Sequence, residues 1–148
     1  MTAVAAGEAV LRGRKIVGGR AEGEALVTRE PVCFLGGVDV TTGTLTERGH
    51  EIEGEVMAGK VLVFPIGKGS TGGSYLIYEA AKNGVGPCAI VNNHAEQVTV
   101  IGAVIAEIPM VADCDADVTT AIRSGDHVVV DGDAGTVTVT VTRGERGS

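Results

Sequence analysis

The chain has 148 residues, of which 44% are hydrophobic and 21% charged, and its net charge is −7. This composition is typical of a soluble globular protein, and the length predicts a single domain over residues 1–148. The negative charge argues against a nucleic-acid-binding protein, and the longest apolar run, residues 98–106, is too short to cross a membrane.

The three cysteines, Cys33, Cys88 and Cys114, are odd in number and far apart in the sequence. Their spacing matches neither a disulfide framework nor a Cys-x-x-Cys metal site. Each lies in or beside an apolar segment, which predicts buried thiols in a reducing compartment. The first residues have neither the basic start nor the apolar core of a signal peptide. We therefore expect a cytoplasmic protein.

Glycines divide the first half of the chain into short elements. Residues 10–17 and 24–29 are predicted to form a pair of strands joined around Gly18 and Gly19, and residues 32–35 a further strand. Residues 36–55 are rich in glycine, threonine and charge, which predicts a long irregular stretch over the surface. Residues 60–65 form a continuous apolar run, which indicates a buried strand.

The second half continues with a helix over residues 73–83 that ends at Gly84, and a second buried strand over residues 87–91. Residues 97–106 fit a strand by their β-branched side chains, or a helix by their length and polar flanks. A strand at 108–112, a short helix at 117–124 and a hairpin of 127–130 with 136–142 follow. The sequence predicts a β-rich mixed α/β domain with its helices in the middle of the chain.

A glycine-rich segment joins the predicted strand at 60–65 to the helix that follows, and it reads Gly67-Lys68-Gly69-Ser70-Thr71-Gly72-Gly73-Ser74. A helix N-terminus leaves backbone N–H groups unpaired and carries partial positive charge, so it attracts carboxylate or phosphate. The glycines allow close approach, Lys68 adds a positive charge, and Ser70 and Thr71 offer hydroxyls. The segment predicts an anion site that contains a candidate nucleophile or base.

A plain loop or a helix cap is the competing interpretation of this segment, since Ser70, Thr71 or Ser74 would each serve as an N-cap. A Walker-type phosphate loop is not predicted. Gly67 and Gly72 have the spacing of that motif, but Gly73 stands where the motif requires lysine.

A string of motifs runs in order along almost the whole chain. It includes Glu22-Gly23-Glu24-Ala25-Leu26-Val27, Glu30-Pro31-x-x-Phe34-x-Gly36-Gly37-Val38-Asp39, Gly54-x-x-x-x-Gly59-Lys60-Val61-Leu62-Val63, Pro65-x-Gly67-Lys68-Gly69-Ser70 and Gly102-Ala103-x-Ile105-Ala106-x-Ile108-Pro109. Together these motifs resemble the small subunit of the aconitase X family, which is the swivel domain of the aconitase superfamily. The resemblance extends from about Gly13 to Val141.

The resemblance implies a swivelling β/β/α domain in which residues 97–106 are a helix. It implies a two-subunit hydro-lyase whose large partner carries an iron–sulfur cluster that acts as Lewis acid on the departing hydroxyl, so this chain is expected to hold no metal. Ser70 holds the position of the serine that removes the proton next to a carboxylate. The residues expected to bind the small anionic substrate are Lys68, Gly69, Thr71 and Gly72.

The loop variant also bears on the substrate. Its Lys68 and Thr71 are similar to archaeal members that dehydrate 5-phosphomevalonate, whereas bacterial hydroxyproline-type members more often carry arginine and serine there. Val40 and Gln97 depart from prolines that are common in the family, outside the loop. We predict a phosphomevalonate dehydratase, with a cis-3-hydroxy-L-proline dehydratase as the alternative. A non-catalytic anion-binding or regulatory module is the alternative from another class.

The remaining polar residues receive structural interpretations. His50 lies in the long stretch and is predicted to be solvated rather than to contact substrate, while His94 and His127 are predicted to serve a turn and a strand. None of the three is adjacent to the glycine loop, which argues against a phosphohistidine carrier. The closely spaced Asp113, Asp115 and Asp117 lack the glycine and glutamate of a calcium loop, so helix capping is predicted for them. Residues 36–54 and 67–73 are predicted to line one interface with the large subunit.

Overall fold

A computed structural model describes residues 7–68 and 72–140 of the chain. The strands are β1 (Glu8–Arg12), β2 (Arg14–Val17), β3 (Arg20–Val27), β4 (Val38–Asp39), β5 (Thr44–Leu45), β6 (Val61–Phe64), β7 (Ala89–Asn92), β8 (Met110–Ala112), β9 (His127–Asp131) and β10 (Thr136–Thr140). The helices are α1 (Gly72–Lys82), α2 (Gln97–Ala106) and α3 (Val118–Ala121).

One mixed sheet has the strand order β1-β10-β9-β3-β6-β7-β8-β2, and β4 pairs with β5 in a separate two-stranded ribbon. Strands β3, β6, β7 and β8 are parallel, while β1, β10, β9 and β2 pair antiparallel with their neighbours. Strand β3 joins the antiparallel part of the sheet to its parallel part, since its first half pairs with β9 and its second half pairs with β6.

The parallel strands bury both faces, which explains their unbroken apolar runs. Leu62, Phe64 and Ile90 pack on one side with side chains of helices α1 and α2. Val61 and Val91 pack on the other side with the valines of β9 and β10. The three layers are therefore the β1-β10-β9 part of the sheet, its β6-β7-β8-β2 part and the helices, in agreement with the predicted β/β/α architecture.

The strand at 60–65 and the helix at 73–83 are confirmed as β6 and α1, and Gly84 follows the helix with φ +78°. Residues 97–106 form helix α2, in agreement with the resemblance. The hairpin is confirmed as β9 and β10, although Val141 and Thr142 lie outside the described residues.

The predicted strand at 10–17 is wrong in one respect, because it divides at Gly13 into β1 and β2 at opposite edges of the sheet. Gly13 N–H donates to Gly135 O at 2.8 Å, and a Cβ at Gly13 would lie 2.6 Å from Ala112 O. Two backbones approach too closely there for any side chain. Strands β2 and β3 consequently do not pair, contrary to the prediction, and residues 32–35 make only a single bridge, from Val32 to Gly67.

The stretch at 36–55 is more deeply buried than the predicted irregular surface segment. Val38, Leu45 and Ile52 are buried in the helix-side core. His50 is buried rather than solvated, with Nε2 2.9 Å from Pro31 O and Nδ1 accepting from the Ile52 N–H. Glu51 accepts hydrogen bonds from the Arg29 N–H and the Thr28 hydroxyl, and these bonds lower its pKa. The stretch is thus attached to the sheet by its own side chains.

Candidate functional site

The glycine-rich segment lies at the edge where the parallel strands end. It follows β6 and precedes α1, while the residues after β7 run beside it, with the Asn93 and His94 N–H groups donating to Pro65 O at 3.0 Å. The carboxyl edge of parallel strands is where α/β proteins place ligands. Lys68 and Gly72 are described by the structure, whereas the predicted site residues Gly69, Ser70 and Thr71 lie outside the described residues.

The backbone that leads into the segment is held by a neighbouring strand-like contact. Val32 N–H donates to Ile66 O at 3.3 Å, and Lys68 N–H donates to Val32 O at 2.9 Å. Val32 is buried, as is Phe34, whose ring meets the ring of Phe64 edge to face at 6.3 Å. The backbone of Lys68 is therefore held against buried apolar residues, although the Lys68 side chain itself is exposed.

Gly67 forms the contact between this segment and helix α2. A Cβ at Gly67 would overlap Thr99 Oγ1 and would lie 2.6 Å from Glu96 Oε1. Glu96 and Thr99 cannot move away freely, because the Glu96 carboxylate caps α2 through the Val98 and Thr99 N–H groups at 2.7 and 3.1 Å. The start of α2 is thus a wall of the candidate site.

Replacing Gly67 by alanine is expected to lower the free energy of unfolding by about 1–3 kcal/mol, because overpacking forces side chains and backbone to shift. Gly72→Ala is the matched control at the other end of the segment, since the described atoms nearest to its Cβ belong to the Leu35 side chain, at an ordinary contact distance of 3.4 Å. Urea unfolding of the purified variants measures both. Equal stability of Gly67→Ala and wild type would contradict the packing described.

Helix α1 begins at Gly72, and its first turn carries no acidic residue. Gly73 is buried against α2, where a Cβ would lie 3.1 Å from Val98 Cγ1. Ser74 is engaged as well, since its hydroxyl donates to Val98 O at 2.6 Å. Ser74 therefore locks the two helices together rather than facing a ligand. The positive end of α1 lies at Gly72, which belongs to the predicted anion site.

Lys68 is paired within the chain, and no local sequence pattern predicts this pair. Its Nζ lies 3.1 Å from Glu47 Oε2, and both side chains are partly exposed. The ion pair brings Glu47, which follows β5, beside Lys68, although the two partners are 21 positions apart in the sequence. An exposed pair of this kind contributes about 0–1 kcal/mol, so an anion of higher charge can replace Glu47 as the partner of Lys68.

Asn92 is a second residue that sequence reasoning missed. It is fully buried at the end of β7, and its amide donates to Phe64 O at 3.0 Å and to Val91 O at 3.2 Å. Its Oδ1 has no hydrogen-bond partner within the described part of the chain. A polar residue that ends an apolar strand is the sequence signal for such a position.

The cysteines do not fit an iron–sulfur cluster, which requires converging thiolates. All three are free, and they are half-buried, whereas the sequence predicts buried thiols. Burial raises the pKa of Cys88, and burial with the charges of Asp115 and Asp113 raises the pKa of Cys114 to about 11. Within residues 7–68 and 72–140, no group of three or more His, Cys, Asp or Glu side chains is placed to hold a metal ion.

The other predicted polar residues have structural contacts. Asp117 caps α3 by accepting from the Thr119 N–H at 2.9 Å, as predicted. Asp113 instead forms an ion pair with Arg14 at 2.6 Å, and Asp115 accepts from the Arg12 N–H at 3.1 Å. His127 contacts Glu22 at 2.9 Å. No helix in the described ranges is long and apolar enough to span a membrane.

Comparisons with known proteins match this architecture. A model of the aconitase X swivel domain covers residues 10–139. The phosphomevalonate dehydratase small subunit of Methanocella arvoryzae is 50% identical over 127 residues, which are 86% of this chain and 96% of that protein. The protein of the same name from Thermococcus sibiricus is 53% identical over 129 residues, which are 87% and 97% of the two chains.

A solved structure agrees with both. The crystal structure of Thermococcus kodakaraensis aconitase X in its holo form superposes with a TM-score of 0.84 at 50% sequence identity. The match covers 88% of this chain and 98% of that one.

Proposed function

Because the chain belongs to the aconitase X swivel-domain family, we propose that it is the small subunit of a phosphomevalonate dehydratase. This hydro-lyase converts 5-phosphomevalonate into trans-anhydromevalonate 5-phosphate and water, a step of a modified mevalonate pathway to isoprenoids. The observation that carries the proposal is the identity of about half of all aligned residues, over nearly the whole of both chains, to relatives that bear this name.

In the proposed reaction this chain supplies the base. Ser70, as its alkoxide in the closed site, accepts the proton from the carbon next to the substrate carboxylate, and the C–H electron pair forms the double bond as the C–O bond on the adjacent carbon breaks. The departing hydroxide takes up one proton and leaves as water. Release of the accepted proton from Ser70 restores the base, so the substrate gives the product and one water. Negative charge develops on the carboxylate side during this step, and in this proposal the positive end of α1 and Lys68 stabilise it or bind the phosphate. Lys68, Gly69, Thr71 and Gly72 form the proposed substrate site.

The electrostatic stabilisation that this chain can supply alone is too small for catalysis, so a partner subunit is required. A helix N-terminus stabilises an anion by about 0.3–1 kcal/mol when exposed and up to about 2 kcal/mol when partly buried, which is too little to activate a serine in water. Electrostatic interactions strengthen when the site is closed and water is excluded. The proposal therefore includes a large subunit that covers the site and carries the iron–sulfur cluster, since the cysteines of this chain do not fit one.

The interface is proposed to include residues 36–54 and 67–73. The Lys68–Glu47 ion pair joins these two segments on one surface. Leu35 and Tyr75, which are exposed apolar side chains at the two ends of this region, offer area that a partner would bury. Three unpaired cysteines support a cytoplasmic location for the assembled enzyme.

The substrate is tested by assaying the reconstituted pair on 5-phosphomevalonate and on cis-3-hydroxy-L-proline, with products followed by proton and phosphorus NMR. We expect turnover of phosphomevalonate. Turnover of hydroxyproline alone would establish the alternative dehydratase. Binding of phosphate or carboxylate without turnover of either compound would indicate a non-catalytic module.

A further inference from the structure

Helix α2 is apolar on its outer face as well as on its inner one. Thr99, Gly102 and Ala103 are buried against the rest of the domain. Three side chains on the opposite face are exposed, namely Ile101 at 44%, Val104 at 52% and Ile105 at 47%. They are three of the seven large apolar side chains that are exposed in the described ranges. A helix that is apolar on all sides is normally buried on all sides. The exposed apolar face of α2 is therefore typical of a surface that binds another protein segment.

A groove of about 440 Å³ continues this face toward the edge strand β2. Arg14, Lys15 and Ile16 line one wall, and Gln97, Val100 and Ile101 line the other. Among the described residues, the lining includes Arg14 and Lys15 and no carboxylate, in a chain whose net charge is −7. Arg14 is already paired with Asp113 at 2.6 Å, which leaves Lys15 as the cation that a partner would meet. The Nζ of Lys15 is 3.9 Å from Asp133, so most of its donor capacity is free for another acceptor.

We propose that the outer face of α2 and the β2 groove form the anchor for the large subunit, which places apolar side chains on Ile101, Val104 and Ile105 and a carboxylate beside Lys15. This inference rests on the proposed function for the existence of that subunit. The main argument for this anchor is that helix α2 lies directly beside the candidate site. The first turn of α2 walls the glycine-rich segment through Gly67 and Ser74, so a partner that closes the site also lies against α2.

A second copy of the chain fits this surface less well. A symmetric dimer would place the same face on both sides of the contact. That face brings Arg14, which is already paired with Asp113, and Lys15, whose pair with Asp133 is long, but no carboxylate among the described lining residues, so Lys15 would gain no closer acceptor. A partner with its own acidic residue beside an apolar patch satisfies both parts of the surface.

The test measures the affinity of the full-length chain for the purified large subunit by calorimetry, with no substrate present. The double variant Ile101→Glu and Ile105→Glu is expected to raise Kd by about 30-fold or more, the effect of losing central apolar contacts. Lys15→Glu is expected to weaken binding as well, and more strongly at low salt. Val10→Glu is the matched control, because Val10 is equally exposed at 44% but lies on β1 at the other edge of the sheet.

Hydrogen exchange on the wild-type chain provides a second measurement that needs no variant. Addition of the large subunit is expected to protect peptides from residues 97–106 but not those from β1. Unchanged Kd for the double variant, or no protection of α2, would overturn the proposal. So would a wild-type dimer that the double variant converts to a monomer without loss of large-subunit binding. A complex that assembles normally but does not dehydrate phosphomevalonate would count against the proposed function alone.

Discussion

Replacing Ser70 by alanine is expected to lower turnover of the reconstituted enzyme by about 100- to 10,000-fold, the usual effect of losing an acid–base group. Substrate is still expected to bind, because Lys68 and the start of α1 remain. Folding is expected to change little, because even a lost helix cap would reduce stability by only about 0.5–2 kcal/mol. Single-turnover kinetics together with a substrate-binding measurement separate the two effects.

Ser74→Ala is the matched control, four residues along the chain. Its hydroxyl donates to Val98 O and so has a structural partner. We expect turnover close to wild type and a stability loss of about 0.5–1.5 kcal/mol, the net contribution of one hydrogen bond. Near-normal turnover by Ser70→Ala would show that the base lies elsewhere and that the segment only holds the anion.

Replacing Lys68 by methionine is expected to raise KM for 5-phosphomevalonate by about 10- to 100-fold, because a hydrogen bond to a charged group contributes about 1.5–3 kcal/mol. Methionine keeps the apolar stem and removes the charge. The lost ion pair with Glu47 is exposed, so the free energy of unfolding should change by less than about 1 kcal/mol. Steady-state kinetics and urea unfolding measure these quantities.

Lys82→Met is the control for Lys68→Met. Lys82 lies in the last turn of α1, at the other end of the helix, 3.7 Å from Glu79 and above the Tyr78 ring. The Lys82→Met variant loses the same charge at the far end of α1 and has no proposed role in the site, so KM should stay close to wild type. Equal KM values for Lys68→Met and wild type would remove Lys68 from substrate binding.

Local sequence patterns predict the elements around the site well. The unbroken apolar run of β6 reflects a strand that is buried on both faces, and Gly84 marks the end of α1 through its positive φ. Helix α2 could not be distinguished from a strand by periodicity, because its outer and inner faces are both apolar. Only the ordered motifs of the family separated the two interpretations.

Contacts between distant residues could not be predicted from local patterns. Nothing in the sequence around Gly13 indicates that the strand ends there. In the structure, however, Gly13 divides the predicted strand into β1 and β2, which lie at opposite edges of the sheet. The stretch at 36–55 is polar on average, but Val38, Leu45 and Ile52 face inward and bury it. The pairing of Lys68 with Glu47 depends on how that stretch folds back, and no local pattern encodes it.

The most direct measurement titrates this chain into the purified large subunit and follows the dehydration of 5-phosphomevalonate. If the active enzyme needs both subunits, neither subunit alone gives turnover. The rate is then expected to rise to a plateau at one small subunit per large subunit. A variant titration with Ser70→Ala should form the same complex without the rise in rate. Turnover by the large subunit alone, unchanged on addition of this chain, would contradict the account.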